Sequence, residues 1–274
     1  MTRKFAKGSI AVGLLVVGFL FCAIANLNTV VNEVNITILG ESPPASLKLA
    51  VLSDLHVSES DLDKLKGLMS NVTQQDPDLI LFLGDYISNP GSLSDADTHR
   101  SNVLKLISRT NGIPAASVMG NYESWSDREQ WSKSFREHPL LVLENETAEI
   151  KTKKGEVCVR GFGDAYTNYF EYVDYPKSCD GKMRFSITHD PAGAFHSEIK
   201  GLIFAGHTHC GQISLPFIGP LWVPSKAPKE GWCGLLKMED RVIYTSSGVG
   251  YSIFPIRIGT QSQWDLITVN FQSK

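Results

Sequence analysis

The chain has 274 residues, of which 42% are hydrophobic and 20% are charged. This length and composition are those of a globular protein that can bury a sizeable single core. The formal net charge of −3 gives no reason to expect DNA or RNA as a partner.

The first segment of the chain is apolar and uncharged. It runs from Ile10 to Ala25 and, with Gly8 and Ser9, just reaches the roughly 17 residues that a helix needs to cross a bilayer core. We therefore expect residues 1–26 to form a membrane anchor. A signal peptide cleaved after a small-residue site at Ala23-Ile24-Ala25 is the alternative, and a buried core helix is a third interpretation.

Basic residues lie on one side of this segment only. Arg3, Lys4 and Lys7 precede it, and the next basic residue is Lys48. Because positive charge stays on the cytoplasmic side of a membrane, we expect a cytoplasmic N-terminus and an extracytoplasmic domain.

The predicted elements begin after a polar stretch that ends in Ser42-Pro43-Pro44, so residues 27–46 are interpreted as a linker and residues 47–274 as the folded domain. Buried strands are predicted first at 47–52, 79–83 and 115–119, and helices at 62–72, 102–109 and 125–137. Short strands follow at 140–142, 148–152, 157–161, 184–188, 202–205, 234–237, 242–245 and 265–271. This order predicts an α/β domain with two mixed sheets packed together and helices outside, a four-layer αββα sandwich.

Five short runs place potential metal ligands directly after predicted strands. They are Asp54-Leu55-His56, Gly84-Asp85, Gly120-Asn121, His189 and Gly206-His207-Thr208-His209. Functional groups of α/β sheets collect beyond the carboxyl ends of strands, so these runs are expected on one rim. The glycines are expected to allow sharp turns there, and the extended i, i+2 spacing of Asp54 with His56 and of His207 with His209 is expected to put each pair on one face.

The chemistry of the runs points to two metal ions. Carboxylate, amide and imidazole ligands without thiolate favour manganese, iron or zinc, and seven ligands are too many for one ion. A lone histidine is most often a surface or core residue, and His99, His138 and His196, outside the runs, keep that interpretation.

These runs resemble the pattern of the calcineurin-like metallophosphoesterase superfamily over about Leu47 to the C-terminus. The resemblance implies one ion held by Asp54, His56 and His209, a second held by Asn121, His189 and His207, and Asp85 between them. It also implies hydrolysis of a phosphodiester, phosphomonoester or pyrophosphate by a metal-activated hydroxide. The run from Gly206 to Pro216 resembles a membrane-associated bacterial branch that includes UDP-2,3-diacylglucosamine hydrolases, which makes a phosphorylated small molecule or lipid the expected substrate.

The pattern is broken at one position, because Tyr122 follows Asn121 where the family has a histidine that stabilises the transition state or protonates the leaving oxygen. A tyrosine has a reference pKa near 10 and is a poor proton shuttle at neutral pH. We expect slower chemistry or a leaving group that needs no proton. The alternative is a metal-binding module without catalysis. Asn121 and Tyr122 are the candidate catalytic residues, and Glu123 is either an acid or, as we favour, a carboxylate at a helix N-terminus.

Two interpretations remain open for several other residues near the runs. The apolar loop from Leu215 to Pro224 is either a membrane-facing or acyl-binding surface or a loop packed under the second sheet. Lys226 and Lys229 either meet substrate phosphates or are solvated, and Asp164 is expected in a turn or behind the ligands. An extracytoplasmic domain conflicts with a UDP-linked lipid substrate, which lies in the cytoplasm.

The cysteines are Cys22, Cys158, Cys179, Cys210 and Cys233, and their spacing matches no disulfide framework or zinc motif. We expect unpaired thiols, with Cys158–Cys179 or Cys210–Cys233 disulfides as the alternatives in an oxidising compartment.

Overall fold

The computed structural model describes residues 28–40 and 45–273. Fourteen strands and three α-helices are present in this part of the chain. The strands are β1 (Val30–Gly40), β2 (Ala45–Leu52), β3 (Leu79–Phe82), β4 (Ala115–Ser117), β5 (Leu141–Val142), β6 (Glu146–Thr152), β7 (Gly155–Gly161), β8 (Met183–Ile187), β9 (Gly201–Ala205), β10 (Ser214–Leu215), β11 (Gly219–Pro220), β12 (Gly234–Lys237), β13 (Arg241–Thr245) and β14 (Gln263–Ser273). The helices are α1 (Leu62–Gln74), α2 (Ala96–Ile107) and α3 (Asn121–Arg136).

Two six-stranded sheets and a small hairpin organise these strands. Sheet one has the order β1-β14-β2-β3-β4-β5, sheet two has the order β12-β13-β9-β8-β7-β6, and β10 pairs with β11. The strands β2 to β5 run parallel, as do β13, β9, β8 and β7, while β14 and β2 are antiparallel. The predicted α/β class with two mixed sheets is confirmed.

The central strands are apolar on both faces, which explains their continuous hydrophobic runs. In β2, Leu47, Leu49 and Val51 face the core between the two sheets, and Ala50 and Leu52 face the helices. This alternation follows from the two-residue period of a strand.

The outer layers differ between the two sheets. All three helices pack on sheet one, for instance through Met69, Val103 and Trp131. In the described residues, the outer face of sheet two is covered instead by the 3₁₀ turn Pro191–Phe195 and by the loop around Phe170. The fourth layer is therefore built from short turns rather than from α-helices.

The predicted linker is wrong over most of its length. Val30–Gly40 forms the edge strand of sheet one and pairs in parallel with β14 from Val30 opposite Gln263 to Gly40 opposite Ser273. Val34, Ile36 and Ile38 alternate toward the core, while the polar side chains between them face solvent. A half-exposed edge strand thus has the polar composition that we interpreted as a connector.

The predicted unpaired thiols are also wrong where the structure describes them. Cys158 is bonded to Cys179 and Cys210 is bonded to Cys233, so both alternative disulfides are present. Cys22 and the predicted anchor at residues 1–26 lie outside the described residues. Within the described residues, no helix is both long and apolar enough to cross a membrane.

Candidate metal centre

The carboxyl ends of strands from both sheets meet at one rim, where the predicted ligand runs come together. Asp54, His56 and His209 form one group of buried side chains whose ligand atoms lie within 4.8 Å of one another. Asp85, His189 and His207 form a second group that meets the same criterion. His56 comes after β2 and His209 after β9, so the first group already joins the two sheets.

The side chain of Asp85 connects the two groups. Its Oδ2 lies 3.4 Å from Nε2 of His56 and 3.4 Å from Nε2 of His189. The carboxylate therefore faces one histidine of each group at equal distance, so it could serve as a ligand to two metal ions.

The second group presents lone pairs toward a common point. His189 donates from Nδ1 to the carbonyl of Leu83 at 2.6 Å, which leaves its Nε2 without a proton in the neutral ring. This Nε2 lies 3.0 Å from Oδ1 of Asn121 and 3.2 Å from Nδ1 of His207. His207 in turn contacts the carbonyl of Pro224 through Nε2. In the neutral rings these acceptor atoms face one another with no hydrogen between them, so a bound cation could take the place of the proton that His189 otherwise holds on Nε2.

The first group contains buried polar atoms without hydrogen-bond partners. Asp54 Oδ1 and His56 Nδ1 are both buried and unsatisfied. Asp54 Oδ1 lies 3.4 Å from Nε2 of His209, and the Nε2 atoms of His56 and His209 are 3.2 Å apart. An orphaned carboxylate oxygen is costly in a protein interior, and a metal ion would supply the missing partner.

The buried carboxylates of the site attract positive charge. Burial opposes the charged form of His189, but the carboxylates, Asp85 first among them, raise its pKa well above the ordinary value. Burial likewise opposes ionisation of Asp85, while His189 and His56 hold its pKa well below the usual range. A metal ion would compete with the protons for these positions.

The other centre is neutral at its histidines. Burial, followed by the nearby charge of Arg257, lowers the pKa of His209 well below its ordinary value. Burial also lowers the pKa of His56, against the opposing effect of Asp85. Neutral imidazole is the form that ligates metals.

The backbone at these residues is in the left-handed region. The φ angles are 51° at Asp54, 41° at His56, 56° at Asp85, 66° at His207 and 48° at His209. Non-glycine residues adopt this region rarely and at a cost, and such strain collects at functional sites. The expected extended i, i+2 geometry is therefore wrong. Asp54 and His56 nevertheless lie in one group, as expected for that pair, whereas His207 and His209 lie in different groups.

The glycines of the runs serve two purposes. Gly84 has a φ of 95°, as expected for a sharp turn. Gly206 is needed for close approach, because a Cβ atom there would overlap Oγ of Ser53 and approach Oδ2 of Asp54.

The profile of the calcineurin-like phosphoesterase family matches residues 47–211, more than half of the chain. The chain belongs to the calcineurin-like phosphoesterase family. The matched range contains all seven predicted ligands, from Asp54 to His209.

Relatives of this chain include a bacterial phosphodiesterase and animal proteins with a metallophosphoesterase domain. A phosphodiesterase, YaeI, of Escherichia coli is 28% identical over 225 residues, covering 80% of this chain and 80% of the relative. A transmembrane protein with metallophosphoesterase domain of Danio rerio is 25% identical over 84% of this chain but over only 55% of its own length. This chain thus spans about half of that relative.

A solved structure supports the fold assignment. The 5'-nucleotidase precursor of Thermus thermophilus superposes with a TM-score of 0.51 at 13% identity, covering 81% of this chain and 55% of the nucleotidase. At this identity the likeness concerns the fold alone. The family and the two ligand groups together suggest a pair of divalent metal ions.

Tyr122, the residue that departs from the resembled pattern, follows Asn121 in the first turn of α3. Its ring packs edge-on against His56 with centroids 4.5 Å apart, and its hydroxyl lies 3.1 Å from Oγ of Ser252. Partial burial raises its pKa above the ordinary value. The phenol therefore keeps its proton at neutral pH and can act at the site as a hydrogen-bond donor.

Glu123 holds in place the backbone of the segments that carry Asp85 and Asn121. Its carboxylate is fully buried and accepts hydrogen bonds from the backbone N–H groups of Gly120, Asp85 and Tyr86 at 2.8 to 2.9 Å. Burial, and then the charge of Asp85, raises the pKa of Glu123 to about 7. The favoured interpretation as a carboxylate at the start of a helix agrees with this geometry, because Glu123 lies in the first turn of α3.

Replacing Glu123 with alanine is expected to lower the free energy of unfolding by about 3 kcal/mol, because three buried N–H groups lose their acceptor. Urea denaturation measures the effect. Glu129, exposed on the same helix, is the matched control, and its alanine variant is expected to stay within about 0.5 kcal/mol of the parent. Equal denaturation midpoints for the two variants would contradict the supporting role.

Two further residues contact the ligands and were not predicted from the sequence. Arg257 is fully buried and its guanidinium lies 3.0 Å from Nδ1 of His209 and 3.1 Å from the carbonyl of Gly248. The ring of Tyr166 lies 4.7 Å from that of His207. Both come from irregular segments, where no strand end or motif indicates a position.

The other residues that the sequence analysis considered belong to neither ligand group. Asp164 is buried in a turn, where it accepts from the backbone and hydroxyl of Thr167 at 3.0 and 2.6 Å, as expected. His99, His138 and His196 are outside both ligand groups. Lys226 and Lys229 are exposed and do not line the cavity above the metal centre, which favours the solvated interpretation.

A disulfide holds the loop that carries His207 and His209. Cys210, directly after His209, is bonded to Cys233, and Thr208 donates to the carbonyl of Trp232 at 2.6 Å. The other disulfide joins Cys158 in β7 to Cys179, away from the ligands.

Replacing both cysteines of either disulfide with serine is expected to lower stability by about 3 kcal/mol, since the chain between them is 21 or 23 residues long. Only the Cys210/Cys233 variant is expected to weaken metal binding, by about tenfold, because it alone loosens the ligand loop. Calorimetric titration with Mn²⁺ checks this. The same loss of affinity in the Cys158/Cys179 variant would refute it.

A cavity of about 360 Å³ opens above the metal centre. Asp85, Asn121, His207 and His209 lie at its floor, while its walls include Ile213, Leu221, Trp222, Ile253 and Phe254. A polar floor within apolar walls is typical of a site that binds a polar group attached to an apolar one.

Proposed function

We propose that this protein is a two-metal hydrolase that cleaves a phosphodiester, phosphomonoester or pyrophosphate bond. The single observation that carries the proposal is the position of Asp85 Oδ2, 3.4 Å from one histidine of each ligand group. A pair of divalent ions supplies Lewis acidity and an activated water for attack on phosphorus.

The seven ligand residues divide between the two ions. We assign Asp54, His56 and His209 to the first ion, and Asn121, His189 and His207 to the second, with Asp85 shared. Oxygen and imidazole ligands suit manganese, iron or zinc. The hydrogen bond from His189 to Leu83 and the packing around each side chain hold the ligands in place.

Tyr122 limits the choice of reaction. Its protonated phenol can donate a hydrogen bond to a substrate oxygen, with Asn121 beside it. A neutral phenol gives up its proton poorly to a leaving alkoxide. We therefore favour a substrate whose leaving group departs as a phosphate or another stable anion, as in a pyrophosphate linkage or an activated diester.

The apolar walls of the cavity favour a substrate with a hydrocarbon part. Leu221, Trp222, Ile253 and Phe254 surround the approach to the ligands. Such walls would stabilise a lipid- or envelope-related phosphoester by burial of apolar surface. The Escherichia coli relative bears the name of a phosphodiesterase, which is compatible with this class.

We further propose an extracytoplasmic domain anchored to the membrane by the apolar N-terminal segment. The charge distribution around residues 10–25 supports this orientation. The disulfides Cys158–Cys179 and Cys210–Cys233 are compatible with an oxidising compartment. Some relatives are named transmembrane proteins. A reporter enzyme fused after Lys274 tests the side of the membrane.

The second candidate function is a metal-binding module without catalysis, and Tyr122 is the observation that favours it. The two functions make opposite predictions for purified protein supplied with Mn²⁺ and bis-p-nitrophenyl phosphate. The hydrolase releases p-nitrophenol well above a His207→Ala control. No turnover above that control with manganese, iron or zinc would refute the hydrolase and leave the binding module.

A further inference from the structure

Two segments beside the metal cavity expose large apolar side chains. Phe217 is fully exposed, and Ile218, Leu221, Trp222, Ile253 and Phe254 are each between 58% and 74% exposed. We call these six residues the apolar rim. Large contiguous apolar patches are uncommon on soluble proteins and mark surfaces that bind another apolar surface. The interpretation of the 215–224 loop as packed under the second sheet is therefore wrong.

Hydrogen bonds join the two segments of the apolar rim into one surface. Gln212 donates from Nε2 to the carbonyls of Ser252 and Phe254, both at 3.0 Å. The backbone of Ser214 donates to Ile258 at 2.7 Å. The apolar rim is thus a fixed part of the fold, and it surrounds the mouth of the metal cavity.

The charges beside the apolar rim are mostly positive. The exposed Glu230 directly follows Lys229, but the ranges 213–229 and 248–264 contain no aspartate or glutamate. They contain Lys226 and Lys229, both exposed, and the buried Arg257. Apolar side chains flanked by exposed lysines complement an anionic lipid surface, since lysines near such a surface are attracted to it.

The described chain begins at the same edge of the molecule. Val30 pairs with Gln263, and Asn28 accepts a hydrogen bond from Nε2 of Gln261 at 2.6 Å. Asn28 and Thr29 line a second cavity together with His56 and Tyr251, next to Ser252 and Ile253. The described chain therefore begins on the side of the metal centre, close to the apolar rim and three residues after the apolar stretch of the sequence that ends at Ala25.

We propose that the apolar rim inserts into the surface of an anionic lipid bilayer, so that the metal cavity opens toward the lipid headgroups. The hydrophobic side chains of the rim enter the headgroup boundary, and Lys226 and Lys229 remain beside the phosphates. This inference concerns binding and goes beyond the proposed function, because it holds whether or not the site hydrolyses a phosphoester.

Lipid discs test the proposal with the full chain. The protein is reconstituted into discs of phosphatidylcholine with or without phosphatidylglycerol, each with brominated acyl chains that quench nearby tryptophans. We expect quenching of Trp222 in the anionic discs, and a Trp222→Phe variant should lose most of it. Quenching should fall about twofold or more in discs without phosphatidylglycerol. A Trp264→Phe variant, which lacks a buried tryptophan, is the control and should keep the quenching.

The outcomes separate the possible occupants of the rim. Equal quenching of the parent and the Trp222→Phe variant would overturn the proposal, because the rim would then lie away from the lipid. Equal quenching in both kinds of disc would contradict the proposed preference for an anionic lipid surface. A change in Trp222 emission that depends on protein concentration in lipid-free detergent would assign the rim to a second copy of the chain instead. Since quenching is read without turnover, failure of hydrolysis leaves this test unaffected.

Discussion

Replacing Asp85 with asparagine is expected to lower phosphoester hydrolysis by about 10³-fold or more, because the carboxylate that faces both ligand groups becomes a neutral amide. The substitution is nearly isosteric. It leaves an oxygen that can accept from the N–H of Tyr122, as Oδ1 of Asp85 does at 2.9 Å. The loss is therefore expected in metal occupancy and rate rather than in folding.

The matched control for this change is Asp63→Asn, on the exposed face of α1. It removes the same charge from the chain and is expected to leave the rate within about twofold of the parent. Thermal unfolding of both variants in the absence of metal checks that each is folded. An Asp85→Asn variant that retains parental activity while folded would mean that the two groups do not act together.

Replacing Tyr122 with histidine is expected to raise the rate by about tenfold to a hundredfold on a substrate with a poor leaving group. The phenol keeps its proton, since partial burial raises its pKa, whereas an imidazole at this position can transfer one. The rise should be small with bis-p-nitrophenyl phosphate, whose leaving group needs no proton, and large with an alkyl phosphodiester. Steady-state rates on the two substrates measure the difference.

A Tyr122→Phe variant completes the comparison. It keeps the ring against His56 and removes the hydroxyl near Ser252. We expect a decrease of a few fold on both substrates, about the effect of one lost hydrogen bond. If Tyr122→His leaves both rates unchanged, poor proton transfer by Tyr122 does not limit the rate of hydrolysis.

The clustering of the metal ligands at one edge of the sheets was predictable, because it depends on regular secondary structure. Asp54, Asp85 and His189 each come directly after an apolar run, and parallel strands bring their carboxyl ends to one edge. The strand pattern also predicted two mixed sheets, since runs such as Leu79–Phe82 are apolar on both faces.

The division of the ligands between two groups was implied by the family resemblance but not by the spacing of the residues. It depends on left-handed backbone at Asp54, His207 and His209, which short motifs do not encode, and it sends His207 and His209 to different groups. The edge strand Val30–Gly40 was missed because half of it faces solvent. Arg257 arrives at His209 from an irregular segment, so its role follows only from the tertiary fold.

The exposure of the apolar rim is the point at which the structure decided between two interpretations of one segment. Composition alone fits both a buried loop and a membrane-facing surface, because both are rich in apolar residues. The full exposure of Phe217 and the placement of Trp222 at the mouth of the cavity distinguish them. This distinction depends on where the hairpin β10–β11 lies, which local sequence does not specify.

The most direct test of the two-metal account is the number of metal ions bound per chain. The purified protein is stripped of metal, reloaded with Mn²⁺, freed of excess ion and measured by mass spectrometry of the metal, with hydrolysis of bis-p-nitrophenyl phosphate followed in parallel. The account predicts two ions per chain, with activity that appears as the ions are restored and a lower ion count for the Asp85→Asn variant. A single ion per chain at saturation with each of manganese, iron and zinc would contradict it.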